Sequence, residues 1–146
     1  MNVEKDAFIG TWRLLNAESI TDAGEIGYLF GKAASGFLIY THDGHMAVNI
    51  MLADRTNFAS ADLASGSPDE KLTAFDTYFS YAGTYEVQAD RVIHYVEFSL
   101  FPNWCGSGQV RSFQFEGDQL ILSSRVILAG EETTAQLTWQ RSPAIR

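Results

Sequence analysis

Short runs in which apolar and polar residues alternate cover most of this chain. Alternation with a period of two is typical of a β-strand with one buried face. The clearest runs are residues 10–20, 36–41, 46–52, 81–88, 91–100, 109–116, 119–127 and 133–141. Most connections between them are short, and an antiparallel sheet of this size protects its edges most economically by closing on itself. The pattern therefore predicts an all-β, up-and-down antiparallel barrel of eight or nine strands, with room inside for one small ligand.

One helix interrupts the strands. Ser67 suits its N-cap, Pro68 its first turn, and Glu70 completes a capping box. We expect this helix to run from residue 67 to about residue 79 and to pack Leu72, Phe75 and Phe79 on the barrel or over one end. Residues 53–66 form a polar loop long enough to act as an entrance flap, and residues 27–35 are predicted to be a loop.

Hairpin pairing predicts which side chains point into the barrel. If Val87 faces Val92 across a short turn, every second residue from that pair shares their side of the sheet. The interior set of this hairpin is then Tyr81, Tyr85, Val87, Val92, His94, Val96 and Phe98. The remaining strands add Trp12, Leu14, Gln109, Arg111, Phe113, Phe115, Leu120, Leu122, Ser124, Ala135, Leu137 and Trp139. Glu97 falls outside in this register, and a β-bulge would turn it inward.

Composition and charge limit the classes of binding partner. The 146 residues carry a net charge of −8 without a basic cluster, which argues against nucleic acid and anionic membrane surfaces. Cys105 is the single cysteine, so no intramolecular disulfide forms and a reducing compartment fits best. The first residues lack the basic and apolar regions of a signal peptide, and no apolar run has the length of a membrane span. We expect one cytoplasmic domain over residues 1–146.

The predicted lumen is aromatic and aliphatic, with His94, Arg111, Tyr81 and Tyr85 as its polar points. A buried guanidinium without a partner is strongly unfavourable, so Arg111 requires one. The possible partners are Glu18 or Asn16 on the first strand, an aromatic face, Glu97 after a change of register, or a ligand.

Two interpretations of His94 remain open. One is a core histidine bonded to a backbone group or a tyrosine, and the other is a group that faces a ligand or transfers a proton. Tyr85 should lie opposite His94 on the neighbouring strand with its hydroxyl within hydrogen-bond reach. Phe98, Phe113 and Trp139 are expected to line the same cavity, whereas Asn103 and Trp104 are interpreted as loop anchors.

The sequence offers little support for a metal site, a bound cofactor or a catalytic nucleophile. His42 and His45 flank a turn without a third ligand at a recognisable spacing. A haem held by a single histidine stays open, although no motif requires it. Cys105 has no base near it in sequence, and neither a Ser-His-Asp set nor a phosphate-binding loop can be identified. We expect no metal and no cofactor.

Four segments carry a family resemblance. Gly10-Thr11-Trp12 resembles the Gly-X-Trp signature of lipocalins. Together with residues 36–44, 81–87 and 94–111, it makes the whole chain similar to the bacterial and fungal lipocalin-like domain family, found alone or beside secondary-metabolism genes. The resemblance implies an eight-stranded barrel with a ligand cavity. It also implies an arginine packed over the tryptophan, for which Arg141 is a better match than Arg111.

Three classes of function follow. The first, which we adopt, is a protein that binds a small hydrophobic or aromatic molecule, with a carboxylate or carbonyl set against Arg111. The alternative is a cofactor-independent cyclase or isomerase of polyketide- or terpenoid-like substrates, in which His94 transfers protons and Arg111 or Tyr85 stabilises an enolate. A third, weaker possibility is an interaction module that forms a homodimer.

Overall fold

The computed structural model describes residues 3–145 and consists almost entirely of antiparallel strands. Two helices and a short 3-10 turn at Pro102–Trp104 accompany them. The helices are α1 (Val3–Phe8) and α2 (Pro68–Asp76). The strands are β1 (Gly10–Thr21), β2 (Ile26–Tyr28), β3 (Ser35–Tyr40), β4 (His45–Met51), β5 (Tyr78–Val87), β6 (Arg91–Ser99), β7 (Gly108–Glu116), β8 (Gln119–Leu128) and β9 (Glu131–Arg141).

The sheet closes on itself, as the sequence pattern predicts. Its order is β2-β1-β3-β4-β5-β6-β7-β8-β9, and β9 returns to pair with β1 from Trp12↔Arg141 to Thr21↔Thr133. Eight strands thus form the barrel. The short β2 is an addition that pairs with the far half of β1, in a segment predicted to be mostly loop. The eight barrel strands agree with the predicted ones to within three residues at each end.

Helix α1 closes one end of the barrel. Phe8, its last residue, is fully buried and meets three aromatic rings edge-on. These rings belong to Tyr40, Phe113 and Phe115, with centroids 5.3, 4.9 and 5.1 Å from that of Phe8. Because edge-to-face contacts at this spacing are favourable and exclude water, the helix seals the barrel floor.

The expected tryptophan–arginine contact lies at the same end. The guanidinium carbon of Arg141 is 4.2 Å from the centroid of the Trp12 ring. Arg141 also donates hydrogen bonds to the carbonyl oxygens of Ala7 and Ile9, and Trp12 Nε1 donates to the Phe8 carbonyl at 2.8 Å. These bonds fasten the end of α1 to the first and last strands.

Helix α2 begins as predicted but ends early. Ser67 and Glu70 form the capping box, with the Glu70 amide donating to Ser67 Oγ at 3.1 Å. The helix stops at Asp76, and Phe79 belongs to β5, where it packs on the core. Leu72 and Phe75 are 60% and 44% exposed. The prediction that the helix packs on the barrel through these two side chains is therefore wrong.

Strand pairing explains why α2 is short. Tyr78 and Phe79 pair with Met51 and Ile50 of β4, so the backbone from Tyr78 onward is committed to the sheet. The Arg55 side chain reinforces the helix end by donating to the Ala74 carbonyl oxygen at 3.1 Å. Phe79 thus follows Leu72 and Phe75 at helical spacing but is a residue of strand β5 rather than of the helix.

A β-bulge in β6 corrects the predicted interior. Gly83 pairs with Val96 and Ala82 pairs with Phe98, which leaves Glu97 as the extra residue. Phe98 is consequently turned to the outer surface and is 69% exposed, so its predicted place in the lumen is wrong. Glu97 remains exposed as well. Gly83 permits the bulge because a Cβ atom at this position would collide with the Tyr95 carbonyl oxygen.

None of the helices within residues 3–145 combines the length and apolar character that a membrane crossing needs.

The barrel floor yields a stability prediction. Replacing the buried Trp12 by alanine should lower the free energy of unfolding by about 3–5 kcal/mol, since it removes a large core side chain. Phe98→Ala is the matched control, and its exposed ring should change that free energy by no more than about 0.5 kcal/mol. Urea unfolding followed by circular dichroism measures both. A Trp12→Ala cost below about 1 kcal/mol would contradict the role of Trp12 in the floor.

Candidate functional site

The barrel encloses a cavity of about 590 Å³. It is lined by residues from seven barrel strands, by the segment before β3 and by the 3-10 turn. Most of the wall is apolar and includes Leu29, Phe30, Leu38, Val48, Ile50, Phe79, Phe101, Trp104, Leu122, Val126, Leu137 and Trp139. The polar lining residues are Tyr81, His94, Gln109, Ser124, Arg111 and Arg125. Its size and composition are those of a small-molecule site.

The rim of the cavity lies at the end opposite α1. Here Ile127 and Leu128 at the end of β8 and Phe101 before the 3-10 turn are exposed apolar side chains. The loop that contains α2 joins β4 and β5 at this same end. Because α1 closes the other end, the cavity opens to solvent at this rim.

His94 is held by two tyrosines. It is almost completely buried, and the Tyr40 hydroxyl oxygen lies 2.6 Å from its Nε2. The Tyr81 hydroxyl oxygen lies 2.7 Å from its Nδ1. Of the two interpretations of His94, hydrogen bonding to tyrosine is the one observed, yet His94 also lines the cavity.

Burial fixes the protonation state of these groups. It lowers the pKa of His94 to about 3, and the positive charge of Arg111 acts in the same direction. Burial also raises the pKa of the Tyr40 and Tyr81 hydroxyls, an effect that the charge of Arg111 partly offsets. At neutral pH the imidazole is therefore uncharged and both tyrosines keep their protons.

Arg111 takes the aromatic partner among its predicted alternatives. Its guanidinium carbon lies 5.6 Å from the centroid of the Trp104 ring, and Nη1 donates to the Val110 carbonyl oxygen at 3.3 Å. Within residues 3–145, no carboxylate lies at ion-pair distance from it, so neither Glu18 nor Glu97 is the partner. Its positive charge thus faces the cavity without a neutralising anion.

Trp104 is itself positioned by an aromatic cluster. The centroids of the Phe79 and Tyr81 rings lie 5.3 and 5.4 Å from that of Trp104, both edge-on. Phe101 completes the cluster at 6.4 Å. The 3-10 turn therefore does more than anchor a loop, because its Trp104 also lines the cavity and stacks with the Arg111 guanidinium.

Two further predicted site residues lie elsewhere. Tyr85 pairs with His94 across the strands, but its hydroxyl donates to the Thr41 carbonyl oxygen at 2.8 Å rather than to the imidazole. Phe113 packs against Phe8 in the barrel floor. Neither residue lines the cavity, so their predicted contribution to its wall is wrong. Both point inward, however, at a level below the cavity.

Trp139 lines the cavity as predicted, and its polar atom has no partner. Its side chain is almost completely buried. Among the described residues, its Nε1 is the buried side-chain nitrogen or oxygen that lacks a hydrogen bond. A buried donor in this state costs free energy.

Comparison with known proteins identifies the family. Residues 9–142 match the lipocalin-like domain family. This chain belongs to that family. A curated relative, the 4'-hydroxy-3'-methoxypropiophenone carrier protein ppsC of Aspergillus oryzae, is 31% identical over 110 residues. The alignment covers 68% of this chain and 99% of the relative.

Sequence reasoning missed Tyr40, which bonds to His94 in this lipocalin-like chain. Inward faces were derived for the hairpins around β6 and β8 but not for β3. Stepping by two from Leu38, a cavity-lining residue, places Tyr40 on the inner face as well. Its bond to His94 joins residues 54 positions apart, and a single sequence carries no signal of that contact.

Metal binding has no geometric basis in the part of the lipocalin-like chain that the structure describes. Across residues 3–145, no three His, Cys, Asp or Glu side chains are grouped as ligands.

The buried imidazole predicts a specific pH dependence of stability. The unfolded chain protonates His94 near its usual pKa of 6.5, whereas the folded protein does so only near 3. Between these values the unfolded state holds the extra proton, so the free energy of unfolding falls by about 1.4 kcal/mol per pH unit as the pH drops. Urea unfolding between about pH 4.5 and 6.5 measures this slope.

His94→Gln is the control, because it removes the titrating group and leaves the carboxylates of the protein unchanged. We expect its unfolding free energy to fall less steeply with decreasing pH than that of the unaltered protein. Parallel slopes for the two proteins would show that His94 is not held neutral by burial.

Proposed function

We propose that this lipocalin-like protein binds a small aromatic molecule that bears a carbonyl or carboxylate oxygen in the barrel cavity. The observation that carries the proposal is the enclosed volume of about 590 Å³, whose wall is mainly apolar and whose polar groups are few. Apolar walls supply affinity, and a few placed donors orient the ligand. The net charge of −8 further favours a small molecule over nucleic acid.

The polar groups support the choice of an oxygen acceptor. Arg111 offers only donors, carries a charge that no carboxylate within residues 3–145 pairs with, and lines the cavity. In an apolar surrounding such donors interact strongly with an oxygen, because little water competes for them.

The aromatic part of the ligand is supported by the wall and by the relative. Phe79, Phe101 and Trp104 form a ring cluster beside Arg111, which suits edge-on or offset contact with a flat ligand. The Aspergillus relative is named as a carrier of an aromatic ketone. We extend to this chain the class of that ligand rather than its identity.

The state of His94 favours binding over the cyclase or isomerase alternative. A general base works best when its pKa is close to the operating pH. The pKa of His94 is about 3, and both ring nitrogens already have tyrosine partners. Tyr85, which the alternative would use to stabilise an enolate, does not reach the cavity.

The direct test is titration of the purified protein with 4'-hydroxy-3'-methoxypropiophenone and related aryl ketones. Quenching of tryptophan fluorescence reports occupancy, because Trp104 and Trp139 line the cavity. We expect saturable binding of one molecule per chain and a rise in the unfolding temperature. Native mass spectrometry of protein purified without denaturant should reveal a bound small molecule. Failure of both measurements would contradict the proposal.

Arg111 provides the sharpest variant. Arg111→Met should preserve the fold and weaken ligand binding by about 10- to 100-fold, the worth of a charged hydrogen bond. Arg111→Lys should restore binding only in part, because an ammonium group lacks the planar fork of a guanidinium. Calorimetric titration and thermal unfolding, each with and without ligand, measure the two effects.

Arg13→Met is the matched control. Arg13 also stacks on an aromatic ring, with its guanidinium carbon 4.6 Å from the Phe37 centroid, but it lies on the outer face. Its replacement should leave binding unchanged. If Arg111→Met retains the full ligand-induced rise in unfolding temperature, Arg111 has no role in binding.

A further inference from the structure

The Tyr40–His94–Tyr81 chain has one more polar hydrogen than it can use internally. Each tyrosine brings one hydroxyl hydrogen, and a neutral imidazole brings one N–H. The chain contains two hydrogen bonds, one at each ring nitrogen of His94. One of the three hydrogens must therefore point away from the chain, at the Tyr40 end or at the Tyr81 end.

The Tyr40 end cannot accommodate the extra hydrogen. Tyr40 is 1% exposed, and its hydroxyl has His94 as its hydrogen-bond partner and no other within residues 3–145. The rings of Phe8 and Tyr85 pack against it, with centroids 5.3 and 4.7 Å away. A hydrogen left over here would be a buried donor without an acceptor, which folded proteins avoid.

The Tyr81 end opens on the cavity. A hydrogen left over here can be donated to water or to a ligand. Arg111 acts on Tyr81 through its charge and through a side-chain hydrogen bond. Because a guanidinium has donors only, Arg111 donates to the Tyr81 oxygen and cannot take this hydrogen. A leftover hydrogen can therefore find an acceptor at the Tyr81 end and not at the Tyr40 end. This difference selects one direction for all three hydrogens.

We propose that the hydrogens run from Tyr40 through His94 to the cavity, and that the Tyr81 hydroxyl donates to the carbonyl oxygen of an aryl ketone bound there. In this order Tyr40 donates to Nε2, the Nδ1–H of His94 donates to the Tyr81 oxygen, and Tyr81 is left with its own hydrogen for the ligand. Tyr40 is then a positioning residue that never touches the ligand. The ligand half of this inference rests on the proposed function, whereas the hydrogen order does not.

The order has a chemical consequence for the ligand. Tyr81 presents a donor that the protein has already oriented, so a bare acceptor oxygen is matched and an aliphatic carbon at the same position is not. The raised pKa of Tyr81 keeps this hydrogen in place at neutral pH. The cavity should therefore discriminate between a ketone and the compound that lacks its oxygen.

The hydrogen order is tested on the ligand-free protein. Two-bond ¹H–¹⁵N correlation spectra distinguish the two tautomers of a neutral histidine. The protein has three histidines. The set of ring signals that is missing from the spectrum of His94→Gln belongs to the buried ring. We expect His94 to carry its hydrogen on Nδ1 at neutral pH. A hydrogen on Nε2, or an even mixture of the two forms, would overturn the inference whatever the protein binds.

The ligand half is tested with a matched pair of compounds. 4'-Hydroxy-3'-methoxypropiophenone and 2-methoxy-4-propylphenol share a ring and a carbon chain, but the second lacks the ketone oxygen. We expect the protein to prefer the ketone by about tenfold or more, and Tyr81→Phe to reduce this preference to less than about threefold. Because the two compounds are compared within one variant, any general weakening of the site cancels.

Tyr85→Phe is the control for loss of an inward tyrosine hydroxyl, since that hydroxyl is bonded to Thr41 outside the cavity. It should retain the preference for the ketone. A preference retained in Tyr81→Phe would overturn the assignment of the ligand oxygen to Tyr81. If the unaltered protein binds neither compound, the proposed function and this oxygen contact both fail, and the histidine spectra still decide the hydrogen order.

Discussion

Pairing between the first and last strands is the constraint on which the rest of this structure depends. Once β9 pairs with β1, every strand of the barrel has a neighbouring strand on both sides, and no strand is left at an open edge of the barrel. Alternate side chains along each strand must then share one enclosed space. Arg141 stands at this seam, where it covers Trp12 and binds the carbonyl groups at the end of α1.

Closure also determines where polar groups become useful. The floor is filled by Phe8, Trp12 and their aromatic neighbours, so polar atoms at that level have to find partners within the protein. Tyr85 does so through the Thr41 carbonyl and Tyr40 through His94. Higher in the barrel, Arg111 lines the cavity instead. The same inward orientation thus leads to a structural role at one depth and to an accessible donor at another.

Much of the architecture was predictable because strand periodicity is a local property. The alternation of residues assigned eight strands, and the turn at residues 88–90 was sufficient to place Tyr81, Tyr85 and His94 inside. The inward position of Arg111 followed in the same way from the next hairpin. Each of these inferences needs only neighbours in sequence and the period of two.

The errors arose where one inserted residue or a distant contact decided the outcome. The bulge at Glu97 reversed Phe98, and no pattern within β6 announces it, although Gly83 on the opposite strand permits it. The partners of His94 depended on which hydroxyls reach it in three dimensions, so the adjacent Tyr85 was expected and the distant Tyr40 was overlooked. Helical spacing likewise led to a predicted helix that reached Phe79, although Tyr78 and Phe79 pair with β4.

If a small molecule binds in this cavity, it enters and leaves at the same rim, because α1 closes the other end of the barrel. Such a molecule would leave in the reverse of the direction in which it arrived, so the part that enters first would be released last. Substitutions at Phe101, Ile127 and Leu128 at the rim would then change the energy barrier to exchange, whereas substitutions beside His94 would change the binding affinity. Selection can therefore adjust dwell time and selectivity in separate stretches of the chain.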